Sequence, residues 1–225
     1  CLNEPISPHQ PDMGRYDPEN PFVYQQPGPQ LYELLSRRSA GCGIIRASFC
    51  EQDLLSGDSH NYIGSLNGAE HNYEAVALSK EKFNTEFGFD APPEPVRLWR
   101  ARNIFKRLNL SAARSEELSR YQYQYIKYFI EYYRMGKYSP TSGHMQFMLI
   151  DCSPSTFYGV LDMGGCAKQG IQAFFESNQP IGVFLKRQSE EQNLYVVNDT
   201  LYGYHNCRLI WRAWDEQRNL IAHDG

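Results

Sequence analysis

The sequence predicts an α/β domain of parallel βα units, followed by the first strands of a β-sandwich. Two observations lead to this prediction. Up to about residue 177, strand-like runs alternate with helical runs, which is typical of parallel βα units. Beyond that point, three short strand-like runs follow one another with turn residues and no helix between them, which is typical of a sandwich. We therefore expect a domain boundary near residues 177–180, giving domains 1–177 and 178–225.

Length and composition indicate a globular protein and exclude several classes of function. The chain has 225 residues, of which 41% are hydrophobic and 14% are aromatic, so it can bury a sizeable core. A formal net charge of -4 argues against nucleic acid or an anionic membrane as the main partner. No run approaches the roughly 18 apolar residues of a membrane span. The chain opens abruptly on Cys1, and we expect it to be a fragment of a longer polypeptide.

The six cysteines do not predict a metal site. None of them stands in a CxxC pair or in a Cys/His spacing typical of metal ligands. The chain is also long and apolar enough to fold without disulfides. Free and mostly buried thiols are therefore expected.

The first part of the chain predicts a long loop, a helix and two strands. Residues 5–30 hold seven prolines, and so long an irregular segment is usually functional or disordered. The stretch QLYELLSRRSA predicts a short helix with three leucines on one face and Gly41 after its end. Two strands are predicted next, over residues 42–49 and 59–66.

The stretch EKFNTEFGFDAPP, residues 81–93, places an acid at the end of a predicted strand. Residues 82–85 are rich in aromatic and β-branched types and predict a strand that leads into Glu86. Gly88 permits a sharp turn, and Pro92-Pro93 prevents a regular strand from continuing. Barrel enzymes have their catalytic groups at the carboxyl ends of strands. The alternative is a solvated acid at a strand end.

The clearest element is a helix predicted over residues 115–137. Its apolar and tyrosine side chains recur at helical spacing, and Gly136 marks its end. The tyrosine stripe is expected to be a packing face rather than a platform for a ligand. A strand over 145–150 that finishes at Asp151 and a helix over 168–177 complete the first domain. Sandwich strands are predicted in IGVFLKR, NLYVVND and CRLIWRAWD.

Six short motifs keep one order along the chain. They are Asn3-Glu4, His60-Asn61-Tyr62, Glu86-Phe87-Gly88, Glu131 to Arg134, Gly143 to Pro154 and Asp162 to Lys168. Together they resemble the catalytic barrel of glycoside hydrolase family 2, the family of β-galactosidases, β-glucuronidases, β-mannosidases and exo-β-glucosaminidases. The resemblance implies the carboxyl-terminal half of a (β/α)8 TIM barrel, strands 4 to 8, followed by a truncated immunoglobulin-like β-sandwich.

The resemblance also implies a retaining, exo-acting β-glycosidase that cuts terminal β-linked sugars by double displacement. Glu4 would be the general acid and later the base, and Glu86 would be the nucleophile. Asn3 would hydrogen-bond the 2-hydroxyl of the sugar, and Phe147 and Tyr62 would be apolar walls against it. Neither a metal nor an organic cofactor is needed for this reaction. The strand that leads to Glu4 is expected to be missing, because only three residues precede it.

Several positions keep two interpretations. His60 and Tyr62 would either bind the substrate or be strand-end residues that the backbone satisfies. Asp151 would hold either a neighbouring group or a sugar hydroxyl. Phe147 and Ser153 stand where the family usually has Trp, and Ile150 stands where it usually has Asn. These differences leave the sugar specificity open. The surroundings TEFGFDAPP resemble most the β-mannosidase and exo-β-glucosaminidase members of the family.

A second hypothesis is a carbohydrate-binding or structural βα fragment without turnover. A half-barrel exposes two sheet edges and cannot enclose a site alone. The expected partners are therefore the missing amino-terminal domains of the same polypeptide and an oligosaccharide or glycoconjugate substrate, without nucleic acid or membrane. The family resemblance suggests a secreted or periplasmic protein.

Overall fold

The computed structural model describes residues 2–3, 28–39, 41–42, 47–48, 58–65, 72–93, 111–186 and 192–224. Within these ranges the chain has a mixed α/β structure. Its first part carries parallel strand pairs, and its last part carries antiparallel ones. No helix in the described part of the chain is both long enough and apolar enough to cross a membrane.

The parallel strands are short and form two groups. β1 (Leu2–Asn3) pairs with β2 (Ala47–Ser48). β3 (Asp58–His60), β4 (Phe83–Phe87) and β5 (Gly143–Gln146) form a second sheet in that order. β2 also contacts β3. The predicted parallel order of the strand segments is thus confirmed for β3, β4 and β5.

Three sequence expectations about these strands are wrong in detail. A short strand, β1, does precede Glu4, because Leu2 and Asn3 pair with β2. The strand predicted over 59–66 ends at His60, since the chain turns through residues 63–65. The strand predicted over 145–150 ends at Gln146, and Ile150 makes only an isolated bridge to Leu161.

Three α-helices accompany the described strands. α1 is Gly28–Arg38, α2 is Ala112–Met135 and α3 is Gln169–Ser177, and a short 3-10 helix covers Tyr73–Leu78. The Ser111 side chain caps α2 by accepting a hydrogen bond from the backbone N–H of Arg114. α2 ends at Gly136, as the sequence predicted.

The core lies between α2 and the parallel sheet. Tyr125 and Phe129 of α2 are fully buried, and their rings stack with centroids 4.3 Å apart. Phe129 stacks in turn on Phe87 of β4 at 5.2 Å. Burying one such side chain stabilises the fold by about 1.5–3 kcal/mol. The predicted packing face of the long helix is therefore confirmed.

The last part of the chain forms two antiparallel hairpins. β6 (Ile181–Lys186) pairs with β7 (Asn193–Asn198), and β8 (Arg212–Trp214) pairs with β9 (Leu220–His223). The strand predicted in CRLIWRAWD is shorter than expected, and the sequence pattern does not predict β9. Among the described residues, the two hairpins belong to separate sheets.

Arg134, near the end of α2, joins this helix to the first hairpin. Its guanidinium donates hydrogen bonds to the carbonyl oxygens of Ser177 and Gln179. It also lies 3.0 Å from an oxygen of Asp199, just after β7, and 5.0 Å above the ring of Phe184 in β6. The arginine is only 3% exposed, so a buried charge links α2 to the β6–β7 hairpin.

The thiols of Cys42, Cys152 and Cys207 are free and exposed. The expectation of mostly buried cysteines is therefore wrong for these three. All three lie in turns or irregular segments. Such segments run over the surface because their backbone polar groups need water.

Candidate active site

Glu86 lies one residue before the end of β4, and a β-bulge decides which way it faces. Ser59 and His60 of β3 pair with Asn84 and Glu86, so β4 has one extra residue there. The pairing of β4 with β5 shows the same shift. An extra residue in a strand reverses the faces of all the residues that follow it.

The contacts on both sides of β4 show this reversal. Asn84 faces α2, because its amide donates a hydrogen bond to the hydroxyl of Tyr133 at 2.7 Å. Phe87 also faces α2, where it stacks on Phe129. Without the bulge, Glu86 would face α2 with Asn84. With it, the Glu86 side chain is turned away from the hydrophobic core.

Glu86 contacts two residues that the sequence singled out. The Tyr62 hydroxyl donates a hydrogen bond to its Oε2 at 3.0 Å. The Nδ1 atom of His60 lies 3.3 Å from the same oxygen. The His60 side chain is 2% exposed, whereas the Glu86 side chain is 18% exposed. The carboxylate is thus held by donors from the end of β3 and remains partly open to solvent.

Three aromatic residues, Tyr62, Tyr158 and Phe147, form an aromatic wall beside Glu86. The ring centroids of Tyr62 and Tyr158 are 5.3 Å apart, and those of Tyr158 and Phe147 are 6.1 Å apart. Phe147 is 37% exposed. The predicted residues Tyr62 and Phe147 are therefore brought together with Glu86 through Tyr158.

Gly88 allows the ends of β4 and β5 to approach each other at this wall. A Cβ atom on Gly88 would lie 2.2 Å from the carbonyl oxygen of Phe147 and 3.2 Å from the Cβ of Tyr158. The Phe147 N–H donates to the Phe87 carbonyl at 2.9 Å. A side chain at position 88 would separate these strand ends. The glycine after Glu86 is needed for close packing here as well as for a turn.

Asp151 lies in a buried ion pair. Its Oδ2 is 2.5 Å from the Nζ of Lys168, and both side chains are 1% exposed. Burial raises the pKa of Asp151 and lowers the pKa of Lys168, while the ion pair opposes both shifts. Asp151 also accepts a hydrogen bond from the N–H of Gly159. These contacts fit the interpretation in which Asp151 holds a neighbouring group.

Two predicted site residues lie wholly or partly outside the described part of the chain. Glu4 lies outside it, so its role as acid and base stays a prediction. The backbone of Asn3 is in β1, paired with Ser48. In the described ranges, no group of three or more His, Cys, Asp or Glu side chains could hold a metal ion.

Among solved structures, the chain is similar to the β-D-mannosidase from Dictyoglomus thermophilum, with a TM-score of 0.63. The fold is similar to that of a glycosidase. The two sequences are 17% identical, and the match covers 80% of this chain and 26% of that one. The chain therefore spans about a quarter of the length of the β-mannosidase. No protein-family model matches the sequence, and no curated protein matches it.

Sequence reasoning did not single out Tyr158 or Asp90. The Tyr158 hydroxyl donates a hydrogen bond to the Asp90 carboxylate, whose pKa is raised by burial. Both residues lie in irregular segments, Asp90 after β4 and Tyr158 after β5. Asp90 could have been noticed from its place four residues after Glu86, whereas Tyr158 stands eleven residues after Phe147 and has no local signal.

Proposed function

We propose that the chain is part of a retaining β-glycosidase in which Glu86 is the nucleophile. The observation that carries this proposal is the surroundings of Glu86. Its carboxylate lies near the carboxyl end of a parallel strand, accepts a hydrogen bond from Tyr62 and lies beside an aromatic wall. Retaining glycosidases need an ionised carboxylate beneath the anomeric carbon, and their sites have apolar surfaces for the sugar.

In this mechanism the Glu86 carboxylate attacks the anomeric carbon, and the bond to the leaving oxygen breaks as that oxygen receives a proton. A covalent glycosyl-enzyme results, and a water molecule then releases the sugar with the anomeric configuration of the substrate retained. Glu4 would donate the first proton and accept one from the water. Its carboxyl group should then lie about 5–5.5 Å from that of Glu86. The Tyr62 hydroxyl would keep the nucleophile oriented.

The proposed substrate class is a terminal β-D-mannoside. The sequence surroundings of Glu86 resemble β-mannosidases, and the chain is similar in fold to about a quarter of a solved β-D-mannosidase. Exo-β-glucosaminides and β-galactosides are the alternatives to test in parallel. The proposed domains are a partial barrel over 1–177 and the start of a sandwich over 178–225.

The exposed edge of the described sheet supports the proposal that further βα units complete a barrel. Within the described residues β5 pairs with β4 and lies at the edge of its sheet. Apolar side chains near this edge are exposed, among them Met145 at 56% and Leu149 at 65%. A pocket of about 390 Å³ between β5 and α3 continues this surface. In the proposed complete enzyme, a neighbouring βα unit would cover it, because parallel sheets are normally buried on both faces.

The decisive experiment is Glu86→Gln in the complete polypeptide that contains this chain. Loss of the nucleophile should lower turnover of an aryl β-D-mannoside by at least about 1,000-fold, since no other group can form the covalent intermediate. The melting temperature should stay close to that of the wild type. Glu117→Gln, which changes an exposed acid of α2, is the matched control and should keep full activity.

Near-normal hydrolysis by the Glu86→Gln variant would contradict the proposed role of this residue. The fragment hypothesis is tested in the same assay with the 225-residue chain. It should bind or hydrolyse little, because a half-barrel does not enclose a site. Glycoside binding without turnover in the complete polypeptide would favour the carbohydrate-binding alternative.

A further inference from the structure

Tyr158 lies at the centre of the aromatic wall, although it comes from the irregular segment after β5. Its ring contacts Tyr62, whose hydroxyl donates to Glu86, and it also contacts Phe147. Its Cβ also lies against Gly88, two residues after Glu86. The ring of Tyr158 therefore contacts both Tyr62, which follows β3, and Phe147, which follows β5.

The backbone around Tyr158 is held from several sides. Phe157 exchanges two backbone hydrogen bonds with Ala91, at 3.1 and 3.2 Å. The carbonyl of Tyr158 itself accepts a hydrogen bond from the side chain of Gln146 at 2.9 Å. The N–H of Gly159 donates to Asp151 at 2.9 Å. Residues 157–159 are thus fixed by Ala91 after β4, by Gln146 at the end of β5 and by Asp151 in the segment after β5.

Two buried side chains complete this support. Lys168 donates hydrogen bonds to the carbonyl oxygens of Phe157 and Ala91, at 3.1 and 2.9 Å. Gln122 of α2 donates to the carbonyl of Gly159 at 3.1 Å. Lys168 and Gln122 are 2% and 0% exposed. The buried ammonium group of Lys168 and the buried amide of Gln122 therefore both help to fix the segment 157–159.

A rigid backbone that presents a half-buried ring is the arrangement of a preorganised binding surface. Such a ring loses little conformational entropy when a ligand contacts it. The ring of Tyr158 is also oriented at its far end, because its hydroxyl donates to Asp90. Tyr125 and Tyr133 are enclosed in the core, whereas the ring of Tyr158 keeps part of its surface exposed to solvent.

We propose that Tyr158 contacts the substrate, and that its ring packs against the apolar face of the sugar bound at Glu86. Lys168 and Asp151 act through Tyr158 as positioning residues. This inference rests on the proposed function, since it takes the ligand to be a sugar. An aromatic ring suits this role because the C–H groups on one face of a pyranose form an apolar surface.

The test measures sugar binding separately from turnover. In the complete polypeptide carrying Glu86→Gln, binding of intact 4-nitrophenyl β-D-mannoside is measured by calorimetry. Adding Tyr158→Ala should weaken binding about tenfold, the factor expected for the loss of one aromatic contact. Adding Tyr158→Phe, which keeps the ring, should weaken it about twofold at most. Tyr138→Ala, at a tyrosine that is 77% exposed in the turn after α2, is the control and should have no effect.

With Glu86 intact, the same change should raise KM by a similar factor and leave kcat within about threefold, because ground state and transition state lose the same contact. Should Tyr158→Ala fail to fold, Tyr158→Leu, which keeps most of the apolar volume, takes its place. Unchanged binding in a folded Tyr158→Ala or Tyr158→Leu protein overturns the inference. An equal loss in Tyr158→Phe also overturns it, since the hydroxyl would then be responsible.

Failure of the proposed function gives a different result. If Glu86→Gln keeps its turnover, the role of Glu86 is wrong, while binding that depends on Tyr158 still supports the inference. If neither the Glu86→Gln protein nor the protein with Glu86 intact binds any of the three glycosides, both proposals are overturned. Sugar binding that is insensitive to Tyr158, in a protein that loses turnover with Glu86→Gln, overturns this inference alone.

Discussion

Glu86 lies within β4 and Glu81 lies two residues before it, but the surroundings of the two acids differ. Glu81 accepts hydrogen bonds from Ser59 at 3.1 Å, from Asn61 at 2.5 Å and from Tyr133 at 2.9 Å. These donors come from β3, from the turn after it and from α2, so that Glu81 joins the sheet to the long helix. Glu86 instead faces away from α2, towards Tyr62 and the aromatic wall.

This difference separates an acid that supports the fold from an acid that is available for chemistry. A carboxylate that accepts hydrogen bonds from several parts of the core stabilises the structure that provides the donors. A carboxylate near the carboxyl end of a parallel strand, with donors on one side and an apolar surface on another, can meet a ligand. The two roles predict different consequences of mutation, and three further experiments test this contrast.

The largest effect on stability is expected for Glu81→Ala. Its loss leaves the donors of Ser59, Asn61 and Tyr133 without their carboxylate. The free energy of unfolding should fall by about 1.5–3 kcal/mol, as measured in urea, because hydrogen bonds to a charged group are lost in a half-buried place. Hydrolysis by the folded complete polypeptide should change less than about twofold. A large loss of kcat with normal stability would contradict the separation of roles.

A somewhat smaller loss is expected for Gly88→Ala, which tests the Glu86 side of the strand. The new methyl group would collide with the Phe147 carbonyl, so the ends of β4 and β5 must move apart. Such overpacking should cost about 1–3 kcal/mol of unfolding free energy. It should also raise KM, because Phe147 moves relative to Glu86. In the control, Gly136→Ala, the added methyl group meets its neighbours at 3.5 Å or more, and both quantities should stay nearly unchanged.

The smallest expected effect is the contribution of His144 to the pH dependence of stability. His144 contacts Tyr133, which also bonds Glu81. The ring of His144 stacks on that of Tyr133, and burial lowers the pKa of His144 below 6.5. The unfolded chain therefore binds a proton at a higher pH than the folded one. The free energy of unfolding should fall as the pH drops from about 6.5 towards the folded pKa, by at most about 1.4 kcal/mol per pH unit.

The measurement for His144 is a comparison of urea unfolding at several pH values with a His144→Gln variant. The raised pKa values of Asp90 and Asp151 act in the opposite sense, because these carboxyls bind protons more readily when folded. Both proteins share these carboxyls, so the difference between the two curves isolates the histidine. Parallel curves below pH 6.5 would show that His144 does not titrate differently on folding.

The packing face of the long helix could be predicted from the sequence and the faces of β4 could not, for a physical reason. The 3.6-residue period of α2 extends over many turns, so single exceptions do not change its packing face. In β4 the period is two, and one inserted residue exchanges the faces. The sequence therefore located Glu86 near a strand end but did not show that a bulge turns it away from α2.

The members of the candidate site were predictable to different degrees. His60, Tyr62 and Phe147 could be named because they stand in motifs that resemble those of glycoside hydrolase family 2. Tyr158 could not, since its place depends on Ala91, which bonds the neighbouring Phe157 and is far away in sequence. Long-range contacts of this kind leave no local pattern. The pairing of Glu4 with Glu86 stays a prediction.

The contacts of Arg134 have a consequence for how the β6–β7 hairpin can separate from α2. The β6–β7 hairpin buries the ring of Phe184, but the side chains of its Val183 and Val196 are 48% and 61% exposed. Its attachment depends strongly on a buried guanidinium that bonds the segment before β6 and lies near Asp199. Separating the hairpin from α2 would leave this charge without its partners, which is costly. We therefore expect local fraying of the hairpin to be coupled to the long helix, so that the two unfold together.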